Sequence, residues 1–196
     1  PAVDAARYVT VSSLTVLIPA LDEEASIGRA VLEAVECGAR LTASGAIRTF
    51  RVIVVDDGSS DRTGPVVQGI ADRRSDVALL RHETNRGLGA AIRTGLAAAD
   101  TDFVFYTDAD LPVDLRVVDR ALALLSEDAE VGIVSAYRTN RGGEGPRRYL
   151  YSIAYNALVR GLFGLQTRDV NFAAKLMRRT ALDGVELRSE GSFIDA

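Results

Sequence analysis

The chain has 196 residues, of which 47% are hydrophobic and 26% are charged. These proportions are typical of a folded globular domain and exclude a disordered or fibrous chain. The net charge of -4 predicts no general attraction to nucleic acid or to an anionic membrane. The single cysteine, Cys37, excludes an internal disulfide and fits a reducing compartment, and the single histidine, His82, has no partners at zinc-binding spacing.

The two ends of the chain suggest a piece of a longer protein. The chain starts with Pro1, and residues 192–196 resemble the beginning of an element rather than an end. No apolar run approaches the ~18 residues of a membrane-spanning helix, and no signal peptide is visible. We expect an N-terminal extension over residues 1–13 and one domain over residues 14–196. We expect that domain to be cut short at its C-terminus, with a membrane segment beyond it still compatible with the sequence.

Short apolar runs alternate along the chain with stretches of helical periodicity. Strands are predicted at residues 14–19, 51–55, 77–80, 103–106 and 131–135, and helices at about 24–37, 61–74, 87–99 and 113–125. This alternation predicts an α/β fold with a mostly parallel sheet that is covered by helices on both faces.

Polar clusters follow three of the predicted strands. Asp22-Glu23-Glu24 follows the first strand, Asp56-Asp57 the second and Asp108-Ala109-Asp110 the fourth. Ligands of such sheets bind at the carboxyl ends of the strands. Carboxylates are costly to crowd together unless cations or hydrogen-bond donors meet them. The three clusters therefore predict a polar ligand and a metal at one edge of the sheet.

The pair Asp108 and Asp110 is the strongest signal in the sequence. Two carboxylates two residues apart after a strand can reach one hard cation, Mg²⁺ or Mn²⁺, which also binds water and substrate phosphates. Such a cation neutralises a leaving diphosphate. The alternative is an ordinary turn, because Asp is common in turns and helix caps.

Two further motifs are compatible with a nucleotide. Asp56 can accept a hydrogen bond from a base while Asp57 structures the turn, although an ordinary strand-to-helix turn explains the same residues. The glycine-rich run at residues 85–89 precedes a helix, where an anion is favoured. This run lacks the full phosphate-loop pattern and is weak by itself.

Four segments in this order resemble one known family. They are LIPALDEE (residues 17–24), VVDDGSSD (54–61), NRGLGAA (85–91) and TDADLP (107–112). Together they resemble the inverting glycosyltransferases of family 2, which have the GT-A fold, and among these the dolichyl- or polyprenyl-phosphate hexosyltransferases. The resemblance covers residues 14–196, which it identifies as a catalytic domain.

This resemblance implies an activity. It implies transfer of a hexose from a GDP- or UDP-linked sugar to an acceptor, polyprenyl or dolichyl phosphate above all, with inversion and with Mg²⁺ or Mn²⁺. It also implies a cytoplasmic protein that is peripheral at the cytoplasmic face of a membrane, with no nucleic-acid partner.

The same resemblance, together with the charge and type of the side chains, indicates which residues form the site. The predicted catalytic residues are Asp108, Asp110 and Arg138, and the first two are the predicted metal ligands. The predicted substrate-binding residues are Pro19, Leu21, Glu23, Asp56, Asp57, Gly87, Ala109, Arg147, Arg148 and Lys175. Pro112 departs from the family, which often has a metal-assisting Gln there. Residues 169–175 match a later family segment only loosely, although Lys175 keeps a basic side chain there.

The acceptor is inferred from charge. Arginines between residues 138 and 160 outnumber the single acid, Glu144, and aromatic residues lie among them. Such a stretch can lie at a membrane interface, or it can be a solvated helix. No clear general base is present apart from Asp195. A lipid phosphate is already anionic and needs no base, whereas a hydroxyl acceptor does.

Within the transferases, the alternative is transfer to a hydroxyl acceptor of a polysaccharide or small molecule. Two other classes of protein are further alternatives. A nucleotidyltransferase usually has a basic, glycine-rich loop directly after the first strand. Here residues 20–24 occupy that position and carry acidic rather than basic side chains, which disfavours this class. A non-catalytic nucleotide-sugar-binding module is the other alternative, and it requires that metal binding has been lost because Pro112 replaces a metal-assisting residue.

Overall fold

A computed structural model describes residues 13–137, 172–187 and 189 of the chain. Its strands are β1 (Ser13–Ala20), β2 (Thr49–Asp56), β3 (Val77–Arg81), β4 (Phe103–Thr107), β5 (Ile133–Ser135) and β6 (Ala174–Arg178). Its α-helices are α1 (Ile27–Ala43), α2 (Thr63–Ala71), α3 (Leu88–Ala98) and α4 (Val117–Glu127), and one 3-10 helix spans Arg179–Leu182.

The strands form one six-stranded sheet in the order β3-β2-β1-β4-β6-β5. Strands β1 to β4 pair in parallel, which confirms the predicted α/β architecture. Strand β6 was missed by the sequence analysis, and it lies antiparallel between β4 and β5. The fifth predicted strand, β5, therefore pairs with β6 and not with β4, the strand that precedes it in the chain.

Helices cover both faces of the sheet, as predicted. Leu14, Val16 and Ile18 of β1 point to the face that packs against α1 and α4, where Val31 is buried. Leu17 points to the opposite face and packs with residues of α3. Because both faces are covered, β1 is buried at every position from Leu14 to Ala20 rather than at alternate positions.

Two helix boundaries differ from the prediction by four residues or more. Helix α1 continues to Ala43 because Leu41 is fully buried and extends its apolar face. Helix α4 begins at Val117 rather than near residue 113. Asp114 organises a turn there, accepting the Arg116 N–H at 2.9 Å on its side chain and the Val117 N–H at 3.0 Å on its carbonyl. Within the described residues, no helix has both the length and the apolar character needed to cross a bilayer.

The buried thiol of Cys37 makes stability depend on pH. Burial on α1 raises the pKa of this thiol from 9.0 to about 11. The unfolded chain ionises the thiol as pH passes 9, while the folded chain keeps it neutral, so unfolding becomes easier up to pH 11. Between about pH 9 and 11, we expect the free energy of unfolding to fall by about 2–3 kcal/mol more in the wild type than in Cys37→Ala. Urea unfolding of both proteins measures this, and parallel pH profiles would contradict it.

Candidate active site

A cleft of about 350 Å³ opens at the carboxyl ends of β1, β2 and β4. Its lining residues are Pro19, Ala20, Leu21, Glu23, Asp57, Asn85, Gly87, Leu88, Ala91, Asp108, Ala109 and Asp110. Most of the substrate-binding and metal-binding candidates predicted from the described residues therefore meet in one place. They meet at the carboxyl ends of the strands, which is the edge of the sheet where the sequence predicted a ligand.

The turn after β4 presents Asp108 and Asp110 to this cleft. The Leu111 N–H donates to the Asp108 carbonyl at 3.1 Å, and Leu111 has a left-handed φ of 52°. Ala109 is buried inside the turn, while Asp110 is exposed. The Tyr106 hydroxyl donates to Asp108 Oδ1 at 3.2 Å, so this carboxylate is oriented from the strand beneath it.

The donor set of the turn fits Mg²⁺ or Mn²⁺ bound together with a diphosphate. Among the residues described by the structure, no group of three or more acidic, histidine or cysteine side chains lies close enough to hold a metal by itself. A hard cation of this type is commonly held by one or two carboxylates and completes its shell with substrate phosphates and water. Asp108 and Asp110 could supply those carboxylates, whereas Pro112 has no side chain that could bind a metal, and metal binding by the two aspartates stays a prediction.

Asp57 is bound to the loop that forms one wall of the cleft. Its carboxylate accepts the Arg86 N–H at 3.0 Å and the Gly87 N–H at 2.8 Å. A third hydrogen bond, of 2.6 Å, joins Oδ1 to Nδ1 of His82. Asp57 therefore has a structural role, as inferred from the sequence, and the segment that it holds is the loop of residues 85–87. Contact between this carboxylate and a substrate stays a prediction.

Asp56 lies deeper than Asp57 and is not among the residues that line the cleft. It is fully buried, and its Oδ1 accepts the Ser59 N–H at 2.9 Å. Oδ2 lies 3.1 Å from Arg81 Nε, but no hydrogen is aligned for a regular hydrogen bond to this oxygen. Base recognition by Asp56 stays a prediction.

The acidic cluster after β1 has a role that was not anticipated. Asp22 Oδ1 accepts the Ser60 N–H at 2.8 Å, and Glu24 accepts the Arg62 N–H at 2.9 Å. These N–H groups lie just before α2, where helices leave donors unsatisfied. Asp22 and Glu24 thus fasten two loops together, and only Glu23 of the three faces the cleft.

The basic candidates are less well located. Lys175 lies in β6, in register with Tyr106 of β4 and Ser135 of β5, and it is not among the residues that line the cleft. Arg138, Arg147 and Arg148 lie outside the described residues, as does the candidate base Asp195. Their roles stay predictions.

Sequence reasoning missed several residues of the site. Asn85, Leu88 and Ala91 line the cleft although only Gly87 was selected from their motif. The glycine-rich run before a helix was the signal that could have found them. His82 gave no such signal, because its partners are distant in the sequence.

The sequence of the chain matches the model of a known protein family. The sequence model of glycosyl transferase family 2 matches residues 15–185, which is most of the chain. The chain belongs to glycosyl transferase family 2. This membership leaves the nucleotidyltransferase alternative without support.

Two curated family members show how much of a relative is present. The chain is 32% identical over 126 residues to a dolichyl-phosphate beta-glucosyltransferase of Trichomonas vaginalis, covering 63% of this chain and 38% of the relative. It is 29% identical over 182 residues to an undecaprenyl-phosphate 4-deoxy-4-formamido-L-arabinose transferase of Pseudomonas fluorescens, covering 91% of this chain and 51% of the relative. The chain thus spans about half or less of the length of these two relatives.

A solved structure confirms the GT-A fold. Glucosyl-3-phosphoglycerate synthase from Mycobacterium tuberculosis, in complex with Mn²⁺ and UDP-glucose, superposes with a TM-score of 0.68. The identity is 21%, and the match covers 94% of this chain and 62% of the other. At this identity the similarity concerns the fold alone.

Proposed function

We propose that residues 14–196 form the catalytic domain of a transferase that moves a hexose from a nucleotide sugar to a polyprenyl phosphate. The observation that carries this proposal is the cleft in which Asp108 and Asp110 face the loop of residues 85–87. The names of the two curated relatives support the lipid-phosphate acceptor. The donor is a GDP- or UDP-linked sugar.

The proposed reaction is a single displacement at the anomeric carbon of the donor sugar. An oxygen of the acceptor phosphate attacks this carbon from the side opposite the diphosphate. The bond from carbon to the diphosphate oxygen breaks, and its electron pair leaves with the nucleoside diphosphate, which inverts the configuration. The nucleophile is already anionic, so no side chain has to remove a proton.

The leaving group determines what the carboxylates have to do. Asp108 and Asp110 would hold Mg²⁺ or Mn²⁺, which neutralises the charge that develops on the departing diphosphate. Asp110 is exposed on the turn and so is accessible to ion and diphosphate together. Tyr106 holds Asp108 in place from the strand.

The other predicted residues take positions around these two substrates. Pro19, Leu21 and Glu23 border the base and ribose, and Asp56 accepts a hydrogen bond from the base. Gly87 lets the backbone approach the donor closely, and Ala109 lies beside the donor between the two carboxylates. At the acceptor end, Arg138, Arg147, Arg148 and Lys175 bind the lipid phosphate, for which the bidentate guanidinium is well suited. We therefore propose that the protein is cytoplasmic and acts at the cytoplasmic face of a membrane.

An acceptor comparison tests the proposal. The purified protein is given UDP-glucose or GDP-mannose with Mg²⁺ or Mn²⁺, together with either a polyprenyl phosphate or a panel of sugar hydroxyl acceptors. We expect transfer to the lipid phosphate, because it alone needs no general base. Transfer only to hydroxyl acceptors would contradict the lipid-phosphate proposal and direct the search for a base to Asp195.

A further inference from the structure

The described part of the chain holds a largely buried polar cluster that the proposed reaction does not use. It consists of His82, Asp57 and Thr94. The side chains of His82 and Asp57 are only 6% and 5% exposed. His82 Nδ1 lies 2.6 Å from Asp57 Oδ1, and His82 Nε2 lies 2.9 Å from Thr94 Oγ1. The imidazole therefore has a partner on each nitrogen.

The partners of the cluster determine which atoms donate. Asp57 already accepts two backbone N–H groups, from Arg86 and Gly87, as an ionised carboxylate does. His82 Nδ1 must therefore carry a proton and donate to Asp57. Thr94 is a hydroxyl and can donate to Nε2 or accept from it, so the cluster is satisfied with a neutral or a charged ring.

The cluster connects three elements around the wall of the cleft. Asp57 follows β2, His82 follows β3, and Thr94 is on α3. The loop between His82 and α3 contains Asn85 and Gly87, which line the cleft. His82 lies at the start of this loop, and its backbone N–H donates to the Asp56 carbonyl at 2.9 Å, which ties the start of the loop to the end of β2. The ring of His82 thus orients the carboxylate that holds the far end of the same loop.

We propose that His82 is a positioning residue, which keeps the loop of residues 85–87 in its donor-binding shape through Asp57 and Thr94. This inference rests on the proposed function for the identity of the ligand but not for the geometry of the loop. His82 does not line the cleft. Its removal leaves Asp57 with one donor fewer in a buried setting, where an unmatched charge is costly. The carboxylate then turns toward other donors, and its hold on the Arg86 and Gly87 N–H groups weakens.

Two variants of His82 separate positioning from mere packing. His82→Leu removes both ring nitrogens, whereas His82→Asn keeps a donor near the position of Nδ1. In His82→Leu, we expect the amide hydrogens of Arg86 and Gly87 to exchange about tenfold faster or more, since loop amides follow local opening. We also expect UDP or GDP, with Mg²⁺ present, to bind at least about fivefold more weakly. His82→Asn should recover most of both losses.

A matched control is the buried pair Thr15 and Thr101, whose hydroxyls lie 2.7 Å apart away from the cleft. Thr15→Val removes a polar contact of similar burial and should leave loop exchange and nucleotide binding unchanged, even where it lowers stability. If His82→Leu does not fold, Thr94→Val, which removes only the partner of Nε2, takes its place with a smaller effect in the same direction.

The outcomes distinguish this inference from the proposed function. Unchanged exchange of the Arg86 and Gly87 amides in the His82 variant overturns the positioning role, whatever the protein binds. Faster exchange with unaltered nucleotide affinity overturns the link between loop shape and donor binding. A wild-type protein that binds neither UDP nor GDP contradicts the proposed function, and the amide exchange then decides the positioning role alone.

Discussion

Replacing Asp110 by asparagine is expected to lower kcat/KM for sugar transfer by at least about 100-fold, the loss that follows removal of one charge-stabilising group from an active site. The amide keeps the size of the side chain but removes the negative charge that would hold a divalent cation against the diphosphate. Asp110 is exposed, so the fold should be unaffected. Calorimetry should show that Mn²⁺ strengthens nucleotide binding to the wild type and not to Asp110→Asn.

A nearby carboxylate provides the control. Asp114 is also exposed, and it forms an ion pair of 3.5 Å with Arg116 at the surface. Asp114→Asn makes the same chemical change outside the cleft and should leave kcat/KM and the effect of Mn²⁺ unchanged. Wild-type turnover in Asp110→Asn would remove the metal-binding turn from the proposed mechanism.

Replacing Gly58 by alanine is expected to destabilise the protein by about 2–5 kcal/mol, from an unfavourable φ together with overpacking. Gly58 has a φ of 78°, which L-residues with a side chain rarely adopt. A Cβ atom there would lie 2.5 Å from the carbonyl carbon of Thr84 and 2.6 Å from the nitrogen of Asn85. These neighbours are backbone atoms and cannot rotate away. Urea unfolding of the variant and the wild type measures the loss.

Gly69 is the matched control for this substitution. It lies inside α2, and an added Cβ would meet no atom within 4 Å. Gly69→Ala should therefore stabilise the protein by about 0.5–1 kcal/mol, because alanine loses less backbone entropy in a helix. Equal unfolding midpoints for the two alanine variants would show that the close approach at Gly58 is not a constraint.

The Gly58 contact also explains why the cleft has a defined shape. Gly58 brings the turn after β2 against residues 84 and 85, and Asp57 holds residues 86 and 87 from the same turn. On the other side of this turn, Asp22 fastens the loop after β1 to Ser60. Three loops are thus held together by contacts with backbone groups, which orders the edge of the sheet where the ligand is proposed to bind.

Much of this arrangement could be predicted because it depends on local patterns. The apolar runs of β1 and β4 indicated buried strands, and the helical periodicity after Glu24 indicated α1. The carboxyl ends of parallel strands meet at one edge, so the pair Asp108 and Asp110 could be assigned to the cleft before any contact was known.

The rest depended on contacts between residues that are distant in the sequence. Strand β6 could not be placed, because its five residues carry no signal for pairing between β4 and β5.

The sequence by itself determined that acidic residues collect at the carboxyl ends of β1, β2 and β4, since a strand and the turn after it are both encoded locally. Only the tertiary structure decided what each carboxylate does. Asp22 and Asp57 accept hydrogen bonds from backbone N–H groups 38 and 29 residues away, whereas Asp110 is exposed in the cleft. A carboxylate binds whichever donors the packed loops bring within about 3 Å of it, and this depends on strand order rather than on neighbouring residues.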